Sequence, residues 1–382
     1  MAARRISIDL GTRTISALND VHDSGAGPGV LLLGNGDGFD ACLAARTRLF
    51  AEEGYSVLCV DDGGALTPDN VAVVAAALRT NPATAGGISC VGFGDGGAVA
   101  CRSAAAAGFK AVVVFDAMAL LEDPGKIADL PCPVVLQYGT RDGDVKLSPL
   151  QTALDATDGS RIYGWPEAGA GFALDGHANF DRRVDSLAHS RTLELIRRVQ
   201  GPYYDYAALF EQHVYHEFVT RDVDATMATM IDAPYVNHVA TLAGGVGHDM
   251  LKRFYKYHFV DQNSSDRTSV TVSQTLGPDR VVLELVVRFK HDRVLDRYFP
   301  GIEPTGEYAE LATVLIVKFR GDKVCHEHIY WDQGSALKQI GVLDAEGLPI
   351  AGPEAARKVL SETDPSNVFM QDAWATSDGK PL

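Results

Sequence analysis

Side chains that can move protons near neutral pH concentrate in the second half of the chain, which holds eight of the eleven histidines. One run there has two imidazoles, a phenol and a carboxylate at every second position: His326, His328, Tyr330 and Asp332. Strand periodicity puts these four side chains on one face. Removing a proton beside a carbonyl needs a base with a pKa raised by burial and a donor to the enolate oxygen. We therefore predict a pocket with Asp332 as base and the other three as donors or proton relays.

Further residues are expected to contact a substrate in the same pocket. They are His238, from the opposite wall, together with Tyr235, Glu284 and Arg288. His326 and His328 with His238 or Asp332 would also offer three nitrogen and oxygen ligands to a metal. The chain has no HExxH motif and no patterned cysteine pair, so we predict no metal and no cofactor. A purely structural hydrogen-bond network remains an alternative.

A glycine-rich turn at residues 92–97 (GFGDGG), between a predicted strand and a predicted helix, has the form of a nucleophile elbow. The nucleophile of such a turn occupies the third position of G-x-nucleophile-x-G, because only small residues fit around it. Here that position is Gly94, which has no attacking group. Possible substitutes are Asp95, His177, Cys90 and Cys101, but an ordinary turn or core role is favoured for each of them.

The pattern of predicted helices and strands, which must position these residues, changes at Gly201-Pro202. Before it, continuous apolar runs alternate with helical stretches, which predicts a parallel sheet covered on both faces. After it, an amphipathic helix over residues 203–220 precedes four long strands, which predicts an α+β domain with a curved antiparallel sheet. The predicted organisation is therefore an α/β domain over 1–201, an α+β domain over 202–350 and a polar tail over 351–382.

Composition limits the partners of the chain. Its 50 acidic residues exceed its 34 lysines and arginines, for a formal charge of −16, so nucleic acid and anionic membranes are repelled. No apolar run has the length of a signal peptide core or a membrane span. Six cysteines without a CxxC pair favour reduced thiols in the cytoplasm. We expect a cytoplasmic protein whose partner is a small organic molecule.

The elbow and its surroundings resemble the dienelactone hydrolase family of α/β-hydrolases, whose elbow carries cysteine in G-x-C-x-G-G. Residues 138–142 (YGTRD) match the segment that bears the acid, and residues 165–172 (WPEAGAGF) match the segment that bears the histidine. The resemblance covers about residues 29–198 and implies an α/β-hydrolase-like parallel sheet. It places the triad at Gly94, Asp142 and Ala170, so only the acid is retained. We expect this domain to be catalytically degenerate.

A second resemblance covers about residues 206–344. Its motifs are residues 235–238 (YVNH), 300–306 (PGIEPTG), 319–324 (FRGDKV) and 339–341 (QIG). They resemble the SnoaL-like polyketide cyclase branch of the nuclear transport factor 2 superfamily. That resemblance implies a cone-shaped α+β barrel, no cofactor, and an acid/base at Asp332. His328 departs from the family, which more often has tryptophan there. The whole chain resembles fusions of the two families, usually labelled carboxymethylenebutenolidase-like.

These features lead to one main functional hypothesis and two alternatives. The main hypothesis is a cofactor-independent lyase, isomerase or cyclase acting on a small carbonyl compound in the second domain, with the first as scaffold. One alternative is an ester or lactone hydrolase that uses non-standard residues of the first domain. The other is a non-catalytic ligand-binding or dimerisation protein. The bare face of the predicted sheet also predicts a homodimer through the C-terminal domain.

Overall fold

The computed structural model describes residues 3–22, 25–36, 40–143, 145–154 and 157–381. The chain divides into two compact units, residues 1–204 and 205–382. The division follows Gly201, whose positive φ of 74° ends a long helix. None of the helices in the described ranges combines the length and the apolar character needed to cross a bilayer.

The first unit is built on one eight-stranded sheet. Its strands are β1 (Arg4–Asp9), β2 (Thr14–Val21), β3 (Gly27–Leu33), β4 (Ser56–Val60), β5 (Thr84–Phe93), β6 (Val112–Phe115), β7 (Val134–Gly139) and β8 (Arg161–Trp165). The spatial order is β1-β2-β4-β3-β5-β6-β7-β8. The pairs β1–β2 and β2–β4 are antiparallel, and β3 to β8 run parallel. The predicted parallel α/β-hydrolase-like sheet is confirmed.

Helices cover both faces of this sheet. They are α1 (Asp40–Glu52), α2 (Pro68–Arg79), α3 (Asp95–Ala107), α4 (Met118–Glu122), α5 (Ser148–Leu154) and α6 (Arg182–Gln200). The position of β3 between two hydrophobic cores explains why its sequence is continuously apolar. Leu31 and Leu33 lie in one core with α2 and α3, while Val30 and Leu32 lie in the other with α1 and α6. Successive strand side chains point to opposite faces, so both sets must be apolar.

A buried ion network ties α6 to the end of α1. Glu53 is 1% exposed and accepts a hydrogen bond from Arg197 Nη2 at 2.7 Å. Nε2 of His189 lies 3.2 Å from the other oxygen of the same carboxylate. Such a network costs desolvation energy when it forms, but the loss of one partner strands the others in a region of low dielectric.

The second unit is built on a six-stranded sheet. Its strands are β9 (Met230–His238), β10 (Ala243–Val246), β11 (Thr268–Leu276), β12 (Arg280–Lys290), β13 (Tyr308–Arg320) and β14 (Lys323–Trp331). The spatial order is β10-β9-β14-β13-β12-β11. Four of the pairs are antiparallel, but β14 and β9 run parallel. The sheet is therefore mixed and not purely antiparallel as the sequence predicted, because β9 enters from the helical segment and not from a hairpin.

Six helices accompany this sheet in the described residues. They are α7 (Tyr206–Tyr215), α8 (Val223–Ala228), α9 (His248–Phe254), α10 (Gln333–Gln339), α11 (Pro353–Leu360) and α12 (Gln371–Ala375). Both α7 and α9 continue into a π-helical turn, at His216–Thr220 and Tyr255–Phe259. The segment expected to be a tail without regular structure holds α11 and α12. Helix α11 begins with Pro353, and Ala356 is its one fully buried residue.

Candidate functional site

The turn between β5 and α3 keeps the backbone of a nucleophile elbow. Gly94 has φ 54° and ψ −126°, a conformation that side-chain-bearing residues adopt only under strain, and α3 begins at the next residue. Two residues later, a Cβ on Gly96 would collide with the carbonyl oxygen of Leu33. The tight turn therefore requires the glycine at position 96. At position 94 the reactive side chain of a nucleophile elbow is missing from a turn that is otherwise intact.

The amide of Asn35 fills the space in front of Gly94. A Cβ built on Gly94 would lie 2.8 Å from Oδ1 and 2.9 Å from Cγ of Asn35. The backbone N–H of Asp95 donates to the same Oδ1 at 2.8 Å. In α/β-hydrolases the N–H that follows the nucleophile belongs to the oxyanion hole. Asn35 therefore occupies both the place of the nucleophile and one donor of the oxyanion hole.

A pocket of about 170 Å³ opens beside this turn. Its apolar wall consists of Phe93, Phe115, Ala173 and Leu174. The rest of the wall comes from Asn35, Gly94, Asp116, Ala170, Gly171 and His177. Ligand pockets usually measure about 300–1,000 Å³, so this one suits only a small molecule. His177 thus lines the same pocket as Gly94 and Ala170, the two triad positions that lack a reactive side chain. From the sequence, a core or turn role was favoured for His177.

Asp116 follows β6 and was not singled out from the sequence. Its Oδ1 accepts the N–H of Gly139 and its Oδ2 accepts the N–H of Gly171, each at 2.8 Å. Burial raises the pKa of Asp116 to about 6, although both N–H groups act to lower it. An acidic residue at the carboxyl end of a parallel strand was the available signal, since ligands of α/β sheets bind at that edge.

The ring of His177 is held in one tautomer. Asn179 donates its backbone N–H to Nδ1 at 3.1 Å, so a neutral ring carries its proton on Nε2. The ring packs on Gly171, where an added Cβ would collide with it. His177 therefore lines the pocket with its Nδ1 already engaged by the N–H of Asn179.

Asp142, the retained acid of the expected triad, is half exposed and does not contribute to the pocket wall formed by the described residues. Arg141 binds it with Nε to Oδ1 at 2.8 Å and Nη2 to Oδ2 at 3.1 Å. The hydrogen bonds and charge of Arg141 hold the pKa of Asp142 below its usual value. This carboxylate is an exposed ion-pair partner in the structure.

In the second unit, the alternation along β14 was predicted correctly, but the buried face is the opposite one. Glu327 and Trp331 are 4% and 9% exposed, whereas Tyr330 is 39% exposed. Asp332 is exposed, and its Oδ1 accepts the N–H of Ser335 at 2.6 Å as the N-cap of α10. The expectation of an apolar pocket around Asp332 is wrong, because the residue ends the strand and begins a helix.

Of the other expected residues, Tyr235, His326, His328 and Tyr330 share one face of the sheet, and His238 lies on the opposite face. His326 and His328 stack with ring centroids 4.9 Å apart, and Tyr235 meets His328 edge-on at 5.4 Å. Burial, followed by the charge of Lys318, lowers the pKa of His326 to about 4. His238 instead packs against Trp331 in the interior, where burial lowers its pKa to about 3.

Glu284 and Arg288, both on β12, each have a side-chain partner. Glu284 accepts a hydrogen bond from Ser273 at 3.0 Å, and Arg288 lies over the ring of Tyr308 at 5.0 Å. Glu284 lies opposite Val314, which lies opposite Tyr330, so both residues of β12 share the sheet face of Tyr330. The structure thus keeps most of the expected residues on one face of the sheet and leaves out His238 and Asp332.

The interior of the second unit holds a polar cluster that the sequence analysis did not identify. His213 and Glu217 lie four residues apart on α7 and its π-helical turn, and Glu327 reaches them from β14. Burial acts to lower the pKa of His213, but the charges of Glu217 and Glu327 outweigh it and raise that pKa to about 10. The signal was a histidine and a glutamate at helical spacing within an apolar stripe.

One family model matches a part of the chain. Residues 63–200 match the model of the dienelactone hydrolase family. No curated protein matches the chain.

Several solved structures are similar over half of the chain. A putative dienelactone hydrolase from Klebsiella pneumoniae is 20% identical, covers 51% of this chain and 98% of its own, and has a TM-score of 0.45. Dienelactone hydrolase from Anabaena variabilis is 17% identical over 52% and 98% of the two chains, with a TM-score of 0.43. Thermogutta terrifontis esterase 2 is 14% identical over 53% and 96%, with a TM-score of 0.40.

The family match corrects the main functional hypothesis drawn from the sequence. A lyase, isomerase or cyclase in the second unit is contradicted by a match to a hydrolase family in the first, and Asp332 lacks the buried setting that its role as base required. The hydrolase alternative is the better supported. The first unit of this chain carries a dienelactone hydrolase-like domain with the parallel sheet of an α/β-hydrolase.

Proposed function

We propose that the first unit hydrolyses small esters or lactones with a water molecule in place of the missing side-chain nucleophile. The observation that carries this proposal is that Asp116, His177 and Asn35 share one small pocket with the elbow at Gly94. The family match over residues 63–200 supports the class of reaction.

Asp116 is the general base in this proposal. A carboxylate with a pKa of about 6 is mostly ionised near neutral pH and is a better proton acceptor than an ordinary aspartate. It takes a proton from water as the water oxygen bonds to the acyl carbon and the carbonyl oxygen becomes an oxyanion. The proton then passes to the departing alkoxide as the ester C–O bond breaks. The products are a carboxylic acid and an alcohol, or one hydroxy acid from a lactone.

Two donors stabilise the oxyanion in this proposal. Oδ1 of Asn35 faces the N–H of Asp95, which orients the Nδ2 group toward the elbow, 3.2 Å from a Cβ built on Gly94. Nε2–H of His177 is the second donor, because Asn179 occupies Nδ1. Donors aimed at a developing charge are often the largest single contribution to catalysis.

The size and polarity of the pocket favour a small substrate. With a volume of about 170 Å³ and an apolar wall of four residues, it suits a short acyl chain or a small lactone ring.

Hydrolysis of p-nitrophenyl acetate and dihydrocoumarin by the full chain tests this function. We expect turnover without an initial burst and without an acylated protein by intact mass spectrometry, because water attacks directly. A burst with an acylated residue, or hydrolysis no faster than in buffer, contradicts the proposal.

Ligand binding without catalysis is the second candidate, favoured by the position of Asn35 over the elbow. In that case the same compounds bind, as measured by calorimetry, but are recovered unchanged. Turnover that depends on the pocket residues excludes this candidate.

For the second unit we propose a SnoaL-like fold with a cone-shaped closure of the sheet and pairing into a homodimer. An exposed edge supports the pairing, since all nine residues of β11 are exposed. A cytoplasmic location is also proposed, supported by six free cysteines.

A further inference from the structure

One histidine and two glutamates meet in the interior of the second unit. Nε2 of His213 lies 3.0 Å from Oε1 of Glu327 and 3.3 Å from Oε1 of Glu217. Their side chains are 0%, 6% and 6% exposed. Each residue offers one ligand atom, and these three atoms lie within 4.8 Å of one another.

The hydrogen bonds of His213 determine which ring nitrogen faces the carboxylates without a proton. Thr229 donates its hydroxyl to the carbonyl of Thr226 at 2.7 Å, so it accepts from Nδ1–H of His213 at 2.6 Å. Nε2 therefore directs a lone pair toward two carboxylates. Neither Nε2 nor Oε1 of Glu327 makes a hydrogen bond of normal geometry within the described residues. These atoms are satisfied by a proton, on the ring or on a glutamate carboxyl, or by a metal ion.

The distances suit a metal ion. Nitrogen and oxygen ligands lie about 2.0–2.2 Å from Zn²⁺, so neighbouring ligands are about 2.9–3.5 Å apart in octahedral or tetrahedral sites. The two contacts of His213 Nε2, at 3.0 and 3.3 Å, fall within that range. A histidine ligand also typically donates its other N–H to a fixed acceptor, as His213 does to Thr229.

A fourth buried group borders the cluster. Tyr255 is 1% exposed, and its hydroxyl lies close to Glu217. Its ring meets that of His213 edge-on, with centroids 6.3 Å apart. Tyr255 begins one π-helical turn and Glu217 lies in the other, and such turns are frequent at functional sites.

We propose that His213, Glu217 and Glu327 bind one divalent transition-metal ion, such as Zn²⁺ or Mn²⁺. Imidazole and carboxylate ligands suit these ions, and two carboxylates balance the charge of the ion. From the sequence we predicted no metal, and the ligand set weighed there was His326 and His328 with His238 or Asp332. His326 and His328 lie on the face of β14 opposite to Glu327. The metal site does not depend on the proposed hydrolase function.

Metal binding to the full chain tests the proposal. The protein is treated with a chelator, dialysed and titrated with ZnCl₂ or MnCl₂, and bound metal is counted by plasma mass spectrometry. We expect one ion per chain and a thermal midpoint that rises with metal concentration. Glu217→Gln and Glu327→Gln keep the side-chain shape and should weaken binding by more than about 100-fold. Thr229→Val, which removes the acceptor of His213, should weaken it by about 10–100-fold.

Matched variants separate this site from surface binding. The double variant His326→Gln/His328→Gln and the single variant His216→Gln should retain the ion, because all three residues lie outside the cluster. If a glutamine variant of the cluster fails to fold by circular dichroism, Co²⁺ bound to the wild-type protein still reports on the site. Its absorption should show nitrogen and oxygen ligation without a thiolate band. Uptake of no metal, or loss of metal only in the His326/His328 variant, overturns the proposal and leaves a proton between the three residues.

Discussion

Oδ1 of Asn35 accepts the backbone N–H of Asp95 at 2.8 Å, across the turn where a hydrolase nucleophile would stand. The hydrogen bond places an amide where the family has a reactive side chain. The elbow at Gly94 thus has no side-chain nucleophile, and the amide of Asn35 fills that space. Any side chain at Gly94 must therefore displace Asn35.

A cysteine introduced at Gly94 should show that residues 94 and 35 compete for the same space. Gly94→Cys forces a Cβ into contact with Asn35 and into a strained backbone conformation, so we expect a loss of about 1–3 kcal/mol of stability. Adding Asn35→Gly should recover part of that loss because the two residues share one space. Urea denaturation of the two single variants and the double variant measures the coupling, and strictly additive losses would contradict it.

The pH dependence of hydrolysis should follow Asp116. Its carboxyl group has a pKa of about 6 in the folded protein, and only the ionised form accepts a proton. We expect kcat/KM to rise with pH through about 6 and then to level off. A profile that is flat across this region would remove Asp116 from the role of base.

The same carboxyl group should make the folded state less stable as pH rises from about 4 to 6. Its pKa is higher in the folded protein than the usual value of 3.8, so the folded state binds more protons in this window. The stabilisation of the folded state by this bound proton is complete below about pH 4 and is lost as pH rises through about 6. The expected difference between wild type and Asp116→Asn is about 2–3 kcal/mol across the window, measured by denaturation at several pH values. A wild-type and variant difference that does not change with pH would contradict the shift.

Glu53 should be far more important for stability than its neighbour Glu52. Glu53→Gln leaves Arg197 buried without its counter-charge, for an expected loss of about 3–5 kcal/mol. Glu52 pairs with Arg48 at the surface, so Glu52→Gln should cost about 0–1 kcal/mol. Urea denaturation of both variants provides the comparison, and similar losses would argue against the buried network.

Asp332 should act as a helix cap and not as a base. Asp332→Ala removes the acceptor for Ser335 N–H and should cost about 0.5–2 kcal/mol of stability. Asp332→Asn keeps a capping oxygen and should be nearly neutral. Thermal denaturation distinguishes the two, and equal losses in both variants would contradict the capping role.

Local patterns predicted the framework of this protein well, and tertiary contacts decided the rest. The absence of a nucleophile at Gly94 could be predicted from the sequence, because the glycine spacing of the elbow belongs to one short turn. The two-residue alternation of β14 was also visible, but which side faces inward depends on α7, which supplies His213 opposite Glu327. Asn35 follows β3 and Asp116 follows β6, so the two residues line the same pocket but are far apart in the sequence. No local sequence pattern joins them.

The hydrolysis rate of Asp116→Asn tests directly whether Asp116 is the general base. Near neutral pH, the variant should hydrolyse p-nitrophenyl acetate about 10²–10⁴-fold more slowly than the wild type, because asparagine cannot take the proton from water. Asp142→Asn, at the acid position of the family but outside the pocket wall, should keep the wild-type rate. Equal rates for Asp116→Asn and wild type, or a loss confined to Asp142→Asn, would show that Asp116 is not the general base.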